Sequence, residues 1–183
     1  MQKILIVVLF TLISTLVFAE AEQIVYYDSE RVLAENIDLQ EANSTLTTEI
    51  SGWEEEIAKL DNDIQKLTQE YEERRLTLLP SGQREVESQI EELKNQRTQK
   101  ITEIYGENGE IFRRNNELIS PIMEKLKNVI EKIAIENNYS LVLDSSTGAI
   151  GYAKPKLDIT NDIIEEMEAI YESGDTENDT FKK

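Results

Sequence analysis

Between residues 32 and 78 the apolar positions fall three and four apart. Leu46, Ile50, Trp53, Ile57, Leu60, Ile64, Leu67 and Tyr71 are spaced 4, 3, 4, 3, 4, 3 and 4 residues, with polar and charged residues between them. A repeat of about 3.5 keeps one stripe of a helix facing a partner, so the spacing predicts a coiled-coil helix. In the same register lie Leu39 and Val32, with Asn43 and Asn36 between them, and Leu78 ahead. One helix over 30–79 would be roughly 75 Å long. After LLPSGQRE the stripe resumes at Val86, Ile90 and Leu93, passes Arg97, and continues through Ile101, Ile104, Ile111, Leu118, Ile122, Leu126, Val129 and Ile133. The 4 and 4 spacing around Arg97 is a stutter, where a supercoil loosens. Interior proline costs a helix about 3 kcal/mol and glycine about 1, and Pro80, Ser81 and Gly82 together favour a tight turn. They predict the tip of a helical hairpin at 80–82, with the two arms packed along their stripes.

The returning arm carries two more irregularities. Gly106 and Gly109 flank Asn108 in YGENGE, either as a hinge or as glycines tolerated on a surface. If they sit in helix, alanine at each position adds about 1 kcal/mol of helix stability. Ser120-Pro121 predicts a second break, leaving a last helix over 122–137. Gly106, Gly109 and Pro121 are the candidate arm hinge.

Two long helices cannot enclose a core, so the arm must project from a body made of the chain's ends. Residues 24–27 are apolar, and Asp28 and Ser29 are placed to cap the helix that follows. Residues 139–144 and 149–153 are strand candidates joined by SSTG. Thr160 can cap a closing helix, with Ile159 stapled against Ile164. Three short strands, apolar on both faces, form too small a sheet to stand alone. Ile24, Val25, Leu141, Val142, Leu143 and Tyr152 are therefore candidate contacts of an oligomer. The expected fold class is mainly α with a small β body: a helical-hairpin arm over 36–121, and an oligomerising body over 22–35 and 122–171.

Residues 1–3 are positive at Lys3, residues 4–18 are apolar, and Ala19-Glu20-Ala21 offers small residues at a cleavage site. This predicts a secretory signal over 1–21, cut after Ala19 or Ala21, since the apolar stretch is shorter than the roughly 20 residues of a spanning helix. The polar, acidic residues 172–183 are expected to be a disordered tail. With no cysteine, disulfides and a lipid-modified cysteine are excluded. With no histidine either, the usual general base, the activated thiol and the common zinc sets are missing. No glycine-rich phosphate loop is present. The expectation is a protein that is not an enzyme and needs no cofactor. Asp61, Asp63, Gln65 and Glu72 fall at calcium-loop spacing, but Lys66 stands where glycine is required. A net charge of −18 argues against nucleic acid and anionic membrane surfaces as partners. The local exception is the arm tip, where Arg74, Arg75 and Arg84 flank Pro80 and Gly82, as a contact for a bound partner or a membrane or as solvated helix-end charges.

The order of IVYYDSERVL, long hairpin, SPIMEKLKNVIEKIAIENNYSLVLD, GY and LDITNDII resembles the Skp (OmpH-like) family of periplasmic chaperones over 22–170. That resemblance implies three subunits joining strands in a β body, with three arms around a cavity that holds unfolded outer-membrane β-barrel proteins without ATP. It implies a periplasmic homotrimer. Family members are often basic, so the acidic balance of this chain counts against lipopolysaccharide contact. The other reading of the same pattern is a coiled-coil spacer or adaptor of the cell envelope.

Overall fold

The computed structural model describes residues 23–174. The signal expected over 1–21, with Ala19 and Ala21, and residues 175–183 of the expected tail lie outside the described residues. In chain order the elements are β1 (Gln23–Tyr27), α1 (Ser29–Glu35), α2 (Ile37–Arg74), α3 (Pro80–Tyr105), α4 (Glu110–Glu136), β2 (Tyr139–Asp144), a 3-10 turn (Pro155–Leu157) and α5 (Thr160–Ser173). The fold is mainly α, with a two-stranded parallel β1–β2 sheet at the body.

Asp28 starts α1 by accepting the Arg31 N–H at 3.1 Å. Asn36 then divides what the apolar spacing joins into one helix. Its N–H donates to the Leu33 carbonyl at 3.3 Å, ending α1, and its side-chain oxygen accepts the Leu39 N–H at 2.8 Å, starting α2. A short polar side chain that bonds its own backbone favours a cap over a helix interior. Hence Asn36 is buried as a cap, and Ala42, not Asn43, fills the next inward position. From there Leu46 through Leu67 are all partly buried, with exposed residues on either side of most, and Tyr71 is buried.

The hairpin turns earlier than expected. Its reversal occupies residues 75–79, while Pro80 is the first residue of α3 and Gly82 lies inside its first turn. Proline at a helix start loses no hydrogen bond and already has helical φ, so it opens the returning arm instead of forming the bend. Gln83 closes the turn by donating from Nε2 to the carbonyls of Arg75 at 2.8 Å and Leu78 at 3.3 Å.

Pro121 does not break the returning arm. It sits exposed inside α4, a helix of 27 residues that runs on past it to Glu136. Ile122, Leu126, Val129 and Ile133 bury one face of that helix, and this packing outweighs the single hydrogen bond the proline removes. The arm and the body thus share one continuous helix. The true interruption is at 106–109, between α3 and α4.

The core of the body joins Val25, Val32, Leu126, Val129, Ile133, Ile159, Ile163, Ile164 and Met167. Residues 149–153, expected as a strand hairpinned to β2, are irregular. After β2 the chain crosses to the other edge of β1, where Tyr26 bridges Asp158 and its carbonyl accepts the Ile159 N–H at 2.9 Å, and 149–153 do not double back onto β2. Thr160 is the first residue of α5 and not its cap. Asp158 accepts the Thr160 N–H at 2.9 Å, and the Thr160 hydroxyl accepts the Asp28 N–H at 3.0 Å. Helix α5 runs to Ser173 and ends on left-handed Gly174, so residues 172–173 of the expected tail are helical.

Candidate functional site

The alternation of the two strands splits the candidate oligomer contacts. Ile24 pairs with Leu141, Val25 with Val142 and Tyr26 with Leu143. Successive residues of a strand point to opposite faces. Val25 and Val142 point into the body's own core. Ile24 and Leu141, at 50% and 46% exposed, stand on the outer face with Leu143. Beside them an open groove of about 500 Å³ is lined in part by Ile24, Tyr26, Leu143, Ile150 and Tyr152, and Tyr152 is 82% exposed. Four of the six candidate contacts therefore form one uncovered apolar surface, and two belong to the core beneath it.

Below the sheet, the arm is fastened across its two helices by polar rungs. Lys125 meets Asp38 at 2.7 Å near the root. Arg114 grips Glu49 in a fork, with Nε at 2.8 and 3.1 Å and Nη2 at 3.0 Å. The Tyr105 hydroxyl reaches Glu54 at 3.2 Å, and burial, followed by that carboxylate, pushes the phenol's pKa up. Farther out, Lys100 pairs with Glu56 and Arg97 with Asp61. Arg97, the polar residue at the stutter, is thus a cross-arm partner. Near the tip the Tyr71 hydroxyl donates to Glu87, and this bond is the chief cause of its raised pKa. With seam and rungs both satisfied inside the hairpin, most of the arm's large apolar side chains are already engaged.

The remainder falls in two places. At the tip, Leu76 is 93% exposed and Leu79 is 75% exposed. Arg75 lies 3.8 Å from Glu72, Arg84 donates to the Pro80 carbonyl at 3.2 Å, and Arg74 ends α2. Around the break and toward the root, Tyr105, Phe112 and Met123 are about half exposed. The heptad stripe does not include these residues. Their signal in the sequence is the adjacent apolar doublets Ile111-Phe112 and Ile122-Met123, which widen the apolar face beyond a single seam.

At the break, the Gly106 N–H donates to the Thr102 carbonyl and the Gly109 N–H to the Gly106 carbonyl, both at 2.9 Å. Asn108 adopts the left-handed conformation, with φ 58°. A Cβ on Gly106 would lie 2.3 Å from the Thr102 oxygen, and one on Gly109 would lie 2.6 Å from the Ile104 oxygen. Glycine is required at both positions by close backbone approach. Residues 61–72, with their calcium-like spacing, lie within the regular helix α2.

A family model described as Outer membrane protein (OmpH-like) matches residues 23–167. No curated protein matches. The fold is similar to the crystal structure of a candidate outer membrane chaperone (OmpH-like) from Caulobacter crescentus CB15, with a TM-score of 0.72 and 16% sequence identity. The alignment covers 81% of this chain and 85% of that one. At such identity the likeness is one of fold.

Proposed function

This chain belongs to the OmpH-like family of outer membrane proteins, and from that premise we propose that it is an ATP-independent holdase of the periplasm. Its clients are unfolded outer-membrane β-barrel proteins, sheltered between the arms of a homo-oligomer. By resemblance the oligomer is a trimer, exported through a signal cut after Ala19 or Ala21. It works by binding alone, without a cofactor.

The observation that supports this most is the contrast between body and arm. The arm satisfies its own seam, whereas the body leaves Ile24, Leu141 and Leu143 uncovered beside the groove at Tyr152. A surface of that kind favours assembly through the body, with the arms free to project. Tyr105, Phe112 and Met123 then offer modest apolar contacts along each arm. Several such contacts inside one enclosure raise the effective concentration of binding sites around a client, so weak individual contacts suffice. The acidic balance leaves lipopolysaccharide outside the reading.

The test is dilution of several unrelated urea-unfolded barrels into buffer with the purified protein and no nucleotide. Suppressed aggregation of all of them is the expected result. A spacer that binds one folded partner would suppress none.

A further inference from the structure

With three methionines and no cysteine, the chain carries its sulfur as thioether alone. Met1 falls in the expected signal, outside the described residues. The other two sit in opposite surroundings. Met167 is 2% exposed within the core of the body, so an oxidant in solution reaches it only when the body opens. Met123 is 44% exposed on α4, one position round the helix from the buried Ile122. Access to the sulfur decides which thioether is oxidised.

The place of Met123 gives its oxidation a consequence. Phe112, Ile119, Met123 and Ile130 recur at 7, 4 and 7 residues, so they share one stripe of α4 beside the seam of Ile122, Leu126, Val129 and Ile133. Ile130 packs against the core of the body, Ile119 is partly buried, and Phe112 is half exposed. Met123 lies between the covered and open ends of that stripe. An unbranched, polarisable side chain adapts to apolar partners of many shapes, which is how methionine serves promiscuous surfaces. Because Met123 stands outside the buried core cluster, a change at its sulfur leaves the fold's own packing intact.

We infer that Met123 is a redox-sensitive contact of the arm, apolar as the thioether and polar as the sulfoxide. With hydrogen peroxide as the oxidant, the sulfur donates an electron pair to one peroxide oxygen. An S–O bond forms as the O–O bond breaks, and the second oxygen leaves as water. The sulfoxide oxygen is a hydrogen-bond acceptor, and pressing it against an apolar chain leaves it unsatisfied. Resting on the proposed holdase reading, peroxide therefore weakens capture while the fold persists. Thiol-dependent sulfoxide reductases reverse the step, the sulfoxide oxygen leaving as water while two thiols become a disulfide.

The experiment exposes the full chain briefly to dilute hydrogen peroxide, removes the peroxide, and maps the products by peptide mass spectrometry. Sulfoxide is expected at Met123 at least about tenfold faster than at Met167, with the melting temperature unchanged. Equal rates, or a melting temperature that falls as Met123 is oxidised, would overturn the inference. The same samples are then tested for suppressing aggregation of one urea-unfolded barrel. Oxidised wild type is expected to need about threefold more protein than untreated wild type. Met123→Leu, compared only with itself, is expected to need the same amount before and after peroxide. An equal loss in both proteins would place the damage elsewhere and overturn the contact. Wild type that suppresses no aggregation before peroxide would refute the holdase reading and the consequence for capture with it, whereas the mapped rates still decide the oxidation site.

Discussion

Gly106 and Gly109 show how one residue type carries opposite consequences in different backbones. In an ordinary helix each would be improved by alanine, by about 1 kcal/mol. Here an added Cβ would press on the Thr102 and Ile104 carbonyls. Gly106→Ala and Gly109→Ala are therefore expected to destabilise the protein by about 1–3 kcal/mol each, read as a lower urea midpoint. A raised midpoint would mean that the break straightens into helix. The glycines were legible in the sequence as an irregularity, but the carbonyls that demand them depend on how the chain closes around Asn108. Asn36 was harder to read, because a polar residue in a heptad register looks the same as a cap until the helix on each side is seen to end. Asp144 offers a pH test at this scale. Burial would raise its carboxyl, but hydrogen bonds from Ser29 and Ser146 prevail and hold its pKa below the ordinary value. A depressed native pKa contributes stability above the unfolded value of about 3.9, which is lost as pH falls through the native one. Asp144→Asn should therefore flatten the fall in melting temperature between about pH 5 and 3, and an unchanged fall would assign it to other carboxylates.

Among the elements, the long seams were the most legible part, since more than a dozen apolar positions agree on one periodicity. What the pattern does not reveal is which side of a proline a helix occupies. Pro80 starts α3 and Pro121 rides inside α4, although both look like stops. The body packing of Leu126, Val129 and Ile133 decides the second case, and much of it comes from α5, distant from Pro121 in sequence. Pro121→Ala restores a hydrogen bond in a helix that is already continuous and exposed at that point. It is expected to stabilise the protein by up to about 3 kcal/mol, measured by urea unfolding. Loss of stability would show that a bend at Pro121 is needed for packing. Residues 149–153 have the composition of a strand, but the chain is crossing there to the other edge of β1, where Tyr26 meets Asp158, instead of doubling back along β2.

For the whole molecule, the proposed function divides assembly and capture between the body and the arm. Ile24 and Leu141 are half exposed and lie outside the buried core. Ile24→Glu with Leu141→Glu should dissociate the oligomer while leaving the helical content intact, as read by light scattering and circular dichroism. An oligomer of unchanged mass would place the interface elsewhere. That such a face exists was legible from strands apolar on both sides. Which residues belong to it was not, because the register of β1 on β2 decides that Val25 turns inward and Ile24 outward. The most direct test of the account is the mass of the complex formed when one unfolded outer-membrane barrel is diluted into the full-length protein without nucleotide. The account predicts a soluble complex of one oligomer with a single client, whose circular dichroism stays that of an unfolded chain. A client that aggregates at the rate seen without the protein, or one bound only after folding, would contradict it.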